Sequence, residues 1–408
     1  MKFREYQTEI ISKGKKVIRQ HGFVYLAMEV RTGKTLTSLG MANELGVLKV
    51  LFITKKKAMS SIQKDYDLLN PTFQLQIINY ESLHKVKGRF DLVVLDEAHS
   101  MGKFPKPSLR AKQVKIIIEK NCPLVILLSG TPTPESYSQM YHQVYAIPSN
   151  PFKRFINFYR FCDQHVTVRQ RPINGIPIRN YSEGRATIMQ AMEPYLISYS
   201  QKEAGFKVKT NENILYVKMS SLTYNLAKKL LKDLVVEGST EDIVADTPVA
   251  LMQKLHQIYS GTIKFKSGAK QTLDYTKAKF IFNEFKGKKI GIFYKFTQEL
   301  KALKEIYKDK LTTDLDEFAS TDKNIALQIV SGREGISLKQ ADCLVYYNID
   351  FSATSYWQSR DRMTTKDRLK NEVYWIFSEG GIEDQVYKTV IKKKKFTSSH
   401  FEKNLLSL

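Results

Sequence analysis

The sequence contains few cysteines and no long apolar segment. Its three cysteines, Cys122, Cys162 and Cys343, lie far apart and form no CxxC pair, which argues against a disulfide framework or a zinc site. Cys162 and His165 have CxxH spacing, but no second ligand pair follows them. No apolar run approaches the roughly 20 residues of a membrane span, and the opening residues lack the apolar core of a signal peptide. We therefore expect a soluble, cytoplasmic protein without a membrane partner.

Acidic residues are outnumbered by basic ones. The 408 residues include 64 Lys and Arg against 41 Asp and Glu, which gives a formal net charge of +23. Solubility alone rarely requires so large an excess, so nucleic acid is the first candidate partner. The run Lys392 to Lys395 is either a phosphate-contacting patch or a solvated helix end, and the sequence leaves both open.

Two regions of the chain alternate short apolar runs with helical patterns. This alternation predicts parallel sheets in an α/β fold. Ten runs are predicted to be strands: Phe23–Met28, Leu48–Ile53, Phe73–Ile78, Leu92–Leu95, Leu124–Leu128, Asn213–Met219, Ile290–Phe293, Ala326–Val330, Leu344–Tyr347 and Val373–Phe377. We predict a first domain over residues 1–220 with a helical insertion at about 150–205. A second domain over 221–408 begins with a helical or linker segment at about 221–275 and ends in a helix.

The segment Met28 to Thr35, MEVRTGKT, follows a predicted strand and opens a predicted helix. This context is typical of a phosphate-binding loop, because backbone N–H groups at a helix N-terminus face the bound phosphates. Lys34 would add a positive charge, and the Thr35 hydroxyl would ligate Mg²⁺. Met28 stands where GxxxxGK[ST] has its first glycine, so a purely structural helix start remains an alternative.

The segment Leu92 to His99, LVVLDEAH, places two carboxylates and a histidine after an apolar strand. Ligands of open α/β sheets bind beyond such strand ends. Asp96 is therefore placed to hold Mg²⁺, and Glu97 to polarise the water that attacks the γ-phosphate of ATP. A solvated acidic loop would explain either motif alone but not both in this order.

These two motifs, with Gly130-Thr131-Pro132 after a buried strand, resemble superfamily-two helicases. The similarity is closer to the Swi/Snf-type ATPases, particularly the compact ones encoded by bacteriophages, and it covers nearly the whole chain. It implies two RecA-like parallel-sheet lobes in tandem, with helical insertions between them and ATP between the lobes. Other segments that resemble family motifs are Arg4 to Gln7, Phe52 to Lys56, Asn79 to Leu83, Ile292 to Phe296, Ser331 to Leu338, Gln358 to Arg362 and the brace that starts at Ile382 to Asp384.

The resemblance implies roles for further residues. Gln7 would read the adenine edge, and the rest of the nucleotide site would include Arg31, Thr32, Gly33 and Gly335. Coupling of hydrolysis to lobe movement would involve His99, Gly130 and Thr131. Nucleic acid would be contacted by Thr54, Lys55 and Ser331. Arg362 would stabilise charge on the γ-phosphate.

The chain departs from the family pattern at the phosphate loop and in motif VI. The family usually has Asp where Met28 stands and Gly where Arg31 stands. Motif VI normally carries a second arginine three residues after Arg362, where this chain has Thr365. The neighbouring basic residues that are candidates to replace it are Arg360, Lys366 and Arg368.

The sequence thus predicts a monomeric, ATP- and Mg²⁺-dependent nucleic-acid motor, a DNA translocase or helicase, acting on double-stranded or branched DNA. A strand-separating helicase on forks shares the same motifs. A non-catalytic binding module is supported only by Thr365. An RNA substrate is a further alternative, because a motor that binds phosphates has few sequence features that distinguish DNA from RNA.

Overall fold

The computed structural model describes residues 2–173, 176–238, 241–332, 336–365 and 367–391. The chain divides into two compact units, with the boundary between Gly205 and Phe206. Each unit is built on one six-stranded sheet, and both sheets are parallel throughout. The predicted α/β class with two parallel-sheet lobes is therefore confirmed. Among the described helices, none is long and apolar enough to cross a membrane.

The first unit contains eight strands and seven α-helices among its described residues. The strands are β1 (Phe23–Met28), β2 (Lys49–Thr54), β3 (Gln74–Asn79), β4 (Leu92–Leu95), β5 (Leu124–Leu128), β6 (Val166–Ile173), β7 (Ile176–Gly184) and β8 (Leu196–Tyr199). The helices are α1 (Glu5–His21), α2 (Lys34–Leu45), α3 (Met59–Leu69), α4 (Leu109–Asn121), α5 (Met140–Val144), α6 (Phe158–His165) and α7 (Thr187–Met192). The main sheet has the order β3-β2-β4-β5-β1-β8.

Both faces of this sheet are covered, which explains why its central strands are continuously apolar. All six residues of β1 are buried. Alternate side chains enter two cores, since Tyr25 belongs to one apolar cluster and Leu26 to the other. In this strand order β5 lies between β1 and β4. The segments that follow these three strands therefore meet at one edge of the sheet.

The insertion that the sequence predicts to be helical is only partly so. Helices α6 and α7 flank an antiparallel hairpin of β6 and β7, in which Ile173 pairs with Ile176. The sequence between these two residues is Asn174-Gly175, the pair most typical of a two-residue hairpin turn. The hairpin was not predicted, because Pro172 and Pro177 obscure the strand pattern in the sequence.

The second unit contains ten strands and eight α-helices among its described residues. Its strands are β9 (Lys209–Val217), β10 (Val235–Val236), β11 (Ile243–Val244), β12 (Thr262–Lys264), β13 (Lys270–Thr272), β14 (Ile290–Tyr294), β15 (Leu311–Thr312), β16 (Asn324–Gln328), β17 (Cys343–Tyr346) and β18 (Lys370–Ser378). Its helices are α8 (Ser221–Asp233), α9 (Pro248–Tyr259), α10 (Thr276–Glu284), α11 (Thr297–Tyr307), α12 (Leu315–Ser320), α13 (Ile329–Gly332) and α14 (Ala353–Arg360). Residues 383–391 are also helical. The main sheet has the order β15-β16-β14-β17-β18-β9.

The structure draws the domain boundary earlier than residue 220. Strand β9, which the sequence places in the first domain, pairs along its whole length with β18 of the second unit. The segment 221–275 holds α8 and α9 as predicted, but the Lys-rich stretch from Gly261 to Thr272 forms the hairpin β12–β13 rather than a linker.

Candidate nucleotide-binding site

The phosphate loop of the first unit connects β1 to the N-terminus of α2. Gly33 precedes the helix in the left-handed conformation, with φ of 80°. This backbone conformation favours glycine, and a Cβ at this position, 2.6 Å from Gln7 Nε2, would also displace the Gln7 side chain. Arg31 is also left-handed, with φ of 65°. A glycine at the family's usual place would avoid the cost of about 1–2 kcal/mol that this conformation imposes on other residues.

Gln7 supports the loop from α1. It is buried, and its side-chain NH₂ lies 3.4 Å from both the Gly33 carbonyl and the Thr37 hydroxyl. The neighbouring Tyr6 donates a hydrogen bond of 3.0 Å from its hydroxyl to the Thr32 carbonyl. Gln7 therefore lies against the nucleotide loop, and its reading of adenine stays a prediction.

Lys34 lies where the loop meets the segment after β5. Its ammonium is 3.5 Å from the Glu29 carbonyl. A Cβ added to Gly130 would approach Lys34 Nζ to 3.5 Å and the Val30 amide to 3.4 Å. Gly130 thus faces the phosphate loop directly. The strand order causes this contact, because it places β5 beside β1.

Asp96 is held by two hydrogen bonds at the end of β4. The Thr54 hydroxyl donates to one carboxylate oxygen at 2.7 Å, and the Glu97 amide donates to the other at 3.0 Å. Burial of the carboxyl group and the nearby Glu97 carboxylate raise the pKa of Asp96 to about 6, while the Thr54 hydroxyl and the Lys34 ammonium oppose that rise. Loss of solvation thus makes the ionised form costly. A bound cation would offset that cost.

This arrangement corrects the prediction for Thr54. Its side chain is completely buried and its hydroxyl is bonded to Asp96, so it is not displayed for contact with nucleic acid. Thr54 instead orients the carboxylate. The following residue, Lys55, is half-buried after the end of β2, and its contact with nucleic acid stays a prediction.

Glu97 and His99 connect the acidic motif to the segment after β5. Glu97 adopts a left-handed conformation with φ of 51° and ψ of 45°, a strain that non-glycine residues bear mainly at functional sites. His99 Nδ1 lies 3.3 Å from the Glu97 carboxylate and 2.9 Å from the Ser129 hydroxyl. That hydroxyl accepts a hydrogen bond of 3.1 Å from the Thr131 amide. A continuous polar path therefore joins Glu97 to Thr131.

The donor set of this edge fits Mg²⁺. Mg²⁺ prefers oxygen ligands and in proteins usually takes one or two carboxylates together with phosphates and water. Asp96 supplies a carboxylate whose negative charge is costly because the group is buried. Thr35, the second residue of α2, supplies a half-buried hydroxyl. These two residues would hold the ion, as the sequence predicts.

Sequence reasoning did not identify the contact between Gln201 and the phosphate loop. The Gln201 amide donates a hydrogen bond of 2.7 Å to the Glu29 carboxylate. Its side-chain NH₂ donates one of 2.9 Å to the Val30 carbonyl. Because Gln201 and Glu29 are 172 residues apart, no local pattern signals the contact. It forms because β8, which ends at Tyr199, lies beside β1.

The remaining predicted residues belong to the second unit. Arg362 lies in a short 3₁₀ helix, Asp361–Met363, and donates a hydrogen bond of 3.3 Å to the Ile336 carbonyl. Ser331 lies in α13. Gly335 lies outside the described residues. The roles of Arg362 and Ser331 stay predictions.

The aromatic-basic segment Phe152 to Phe161 is mainly core. Phe152, Phe158 and Phe161 are buried in one of the two cores of the first unit. This favours packing over base stacking for these rings. Tyr159 is an exception, with 45% of its surface exposed.

Comparison with known proteins identifies one family. The sequence model described as the SNF2-related domain matches residues 26–277, which is more than half of the chain. No curated protein matches the sequence. Among solved structures, the Sulfolobus solfataricus SWI2/SNF2 ATPase core in complex with dsDNA is similar, with 16% identity, 97% coverage of this chain, 92% of that chain and a TM-score of 0.43. The SWI2/SNF2 ATPase core domain from the same organism is also similar, with 16% identity, 98% coverage of this chain, 90% of that chain and a TM-score of 0.42. The family assignment depends on the sequence model alone.

Proposed function

Because the chain belongs to the SNF2-related family of DNA-dependent ATPases, we propose that it couples hydrolysis of Mg-ATP to movement along DNA. The observation that carries this proposal is the convergence of Lys34, Gly130 and Asp96 at one edge of the first sheet. A phosphate loop, an Mg²⁺ carboxylate and a water-activating carboxylate are the parts that phosphoryl transfer to water requires.

Each residue then has a defined task. Lys34 and the first N–H groups of α2 would bind the phosphates, whose charge Mg²⁺ would help to neutralise when bound. Glu97 would orient the attacking water and accept its proton. Arg362 would stabilise the charge that develops on the γ-phosphate.

The polar path from Glu97 to Thr131 supports a coupling role for His99. Loss of the γ-phosphate would change the charge near Glu97, and His99 would transmit that change to Ser129 and the Thr131 amide. Such a small shift can be amplified where a packed element has two discrete arrangements. We propose Gly130 and Thr131 as part of that element.

Displacement of a third strand from a DNA triplex tests translocation directly. A motor that moves along intact duplex releases the third strand in an ATP-dependent manner and leaves the duplex paired. A forked duplex with one labelled strand, assayed in parallel, reports strand separation. The proposal predicts release of the third strand by the wild type and none by Glu97→Gln.

The two assays separate the alternatives. Separation of the forked duplex without triplex displacement would favour a strand-separating helicase. ATP-independent binding to both substrates, with neither one changed, would favour a non-catalytic module.

A further inference from the structure

Strands β6 and β7 form an exposed and strongly basic two-stranded ribbon. We call this ribbon, together with Arg185, the basic hairpin. From Val166 to Arg185 the chain carries four cations, Arg169, Arg171, Arg179 and Arg185, against one acid, Glu183. Arg169, Arg179 and Arg185 are all exposed. Such a local excess attracts a polyanion.

The cations are distributed over both faces of the ribbon. Arg169 pairs across the strands with Asn180, whereas Arg179 pairs with Gln170. Because successive residues of a strand point to opposite faces, Arg169 and Arg179 lie on opposite sides. The Arg169–Glu183 ion pair, at 2.7 Å, has side chains that are 59% and 41% exposed. A pair so exposed contributes about 1 kcal/mol at most, so it does not prevent Arg169 from reaching a phosphate.

The base of the basic hairpin is firmly attached to the first unit. The Ser138 hydroxyl donates a hydrogen bond of 2.7 Å to the Tyr181 carbonyl. A Cβ at Gly184 would lie 2.6 Å from the Ser138 amide, so the strand and this segment are in close contact. The Tyr181 ring packs edge-on against the buried Phe158. These contacts hold the base of the basic hairpin against the first unit.

This attachment lies a few residues along the chain from Gly130 and Thr131, the proposed coupling residues. Ser138 follows Pro132 by six residues, and the Gln143 side chain donates a hydrogen bond of 2.8 Å to the Pro132 carbonyl. The same Gln143 accepts a hydrogen bond of 2.7 Å from Tyr25 in β1. The segment that holds the base of the basic hairpin is thus hydrogen-bonded both to Pro132, after β5, and to β1.

We propose that the basic hairpin inserts into a groove of a nucleic-acid duplex, with Arg169 and Arg179 contacting the phosphates of the two opposite walls. The inference rests on the proposed function and deepens it, because it names a duplex-specific contact outside the motor motifs. A two-stranded ribbon has the width that the major groove of B-DNA admits. Cations on both faces match a site that has phosphates on both sides. A flat surface of another protein would favour charge on one face only.

The test compares two triple variants by fluorescence anisotropy at several salt concentrations, with a duplex and with one of its single strands. The first is Arg169→Gln/Arg179→Gln/Arg185→Gln. The matched control is Lys49→Gln/Lys87→Gln/Arg89→Gln, which removes three exposed cations around a cleft at the opposite edge of the same sheet. A third variant, Arg169→Lys/Arg179→Lys/Arg185→Lys, keeps the charge. Thermal melts establish that all are folded.

We expect the hairpin Gln variant to bind duplex at least ~10-fold more weakly. The slope of log K against log salt should decrease by up to about 2.7, since each duplex phosphate contact contributes roughly 0.9. Single-strand affinity should change less than ~3-fold. The Lys variant should keep most of the salt slope, and the cleft control should resemble the wild type.

Equal losses on duplex and single strand would overturn the groove assignment, as would equal losses in the hairpin and cleft variants. If the wild type shows DNA-stimulated ATP turnover and the hairpin Gln variant binds duplex normally, this inference fails and the proposed function stands. If the wild type binds no nucleic acid, both fail.

Discussion

Arg360 is bonded to Glu212, and the two residues are 148 positions apart in the sequence. Arg360 Nη1 donates a hydrogen bond of 2.9 Å to Glu212 Oε1. The Glu212 carboxylate also accepts hydrogen bonds from the side chains of Tyr356, Trp375 and Tyr387. Arg360 is therefore committed to an internal network of the second unit and is a poor replacement for the arginine missing at Thr365.

Arg368 is committed in a similar way. Its guanidinium donates hydrogen bonds of 2.9 Å and 2.8 Å to the carbonyls of Ala341 and Asp342. Of the three basic residues that the sequence offered as substitutes, only Lys366 is left, and it lies outside the described residues.

Arg362→Ala should lower nucleic-acid-stimulated ATP turnover by ~10²- to 10³-fold, because one electrostatic donor to the transition state is lost. Arg360→Ala should instead lower the melting temperature, since it removes the largely buried ion pair between Arg360 and Glu212. Turnover per folded molecule and thermal melts measured on both variants distinguish the two roles. Wild-type turnover by Arg362→Ala would show that the motif VI assignment is wrong.

Thr365→Arg should raise turnover above that of the wild type, because a guanidinium binds two phosphate oxygens at once and a lysine does not. Lys366→Ala should lower turnover below that of the wild type, because the Lys366 ammonium is the remaining candidate to offset the arginine missing at Thr365. An unchanged rate in both variants would mean that this position does not act on the nucleotide.

Gln201→Ala should weaken nucleotide binding about fivefold with little effect on kcat. The change removes the hydrogen bond to the Val30 carbonyl, and one such bond is worth about 1 kcal/mol. Titration with a fluorescent ATP analogue measures the affinity, and Gln190→Ala, an exposed position on α7, is the matched control. Equal affinities for Gln201→Ala and the wild type would mean that the contact does not order the phosphate loop.

Asp96→Asn should stabilise the free protein at neutral pH while abolishing Mg²⁺-dependent turnover. The pKa of Asp96 is raised from 3.8 to about 6, so the folded state binds protons more tightly than the unfolded state. Stability is therefore lost as pH rises from about 4 to about 6, and the loss persists above that range. Asparagine cannot ionise, so the gain should be on the order of 1–2 kcal/mol at pH 7.5 and should shrink toward pH 4.

Thermal melts of wild type and Asp96→Asn across this pH range measure the effect, with Asp163→Asn as the control at an exposed carboxylate. A gain that is equal at pH 7.5 and pH 4.5 would argue against titration of Asp96 as its cause.

Binding to nucleic acid should weaken steeply with salt and depend little on base sequence, because a net charge of +23 attracts phosphates of any sequence. Competition between unrelated duplexes at several salt concentrations measures both properties. Affinity that stays constant with salt, or that requires one sequence, is incompatible with a motor that grips the backbone.

The sequence predicted the parts of the fold whose signals are local. β4 and β5 were predicted residue for residue, since continuous apolar runs between polar segments are typical of buried parallel strands. The positions of Met28 to Thr35 after β1 and of Asp96 and Glu97 after β4 were also predicted, because each segment is short and directly follows an apolar strand. Their roles as phosphate loop and acidic motif stay predictions. Their contact through Gly130 follows from the strand order, which the sequence alone did not provide.

The features that were missed depend on pairing between distant segments. β9 was placed in the first domain because nothing near it signals its pairing with β18. The contact of Gln201 with Glu29 and that of Arg360 with Glu212 join segments far apart in the chain. The resemblance to family motifs implied that Thr54 contacts nucleic acid. Its burial against Asp96 could not be foreseen, because it depends on β2 and β4 being adjacent in the sheet.

The most direct test of the account is steady-state ATP turnover with no nucleic acid, single-stranded DNA, duplex DNA and RNA in parallel. We expect the wild type to show Mg²⁺-dependent hydrolysis that duplex DNA stimulates most. Lys34→Ala should lose nucleotide binding and turnover, and Glu97→Gln should bind ATP without hydrolysing it. Wild-type protein that binds DNA but hydrolyses no ATP with any of the four, or a folded Glu97→Gln variant with wild-type turnover, would contradict it.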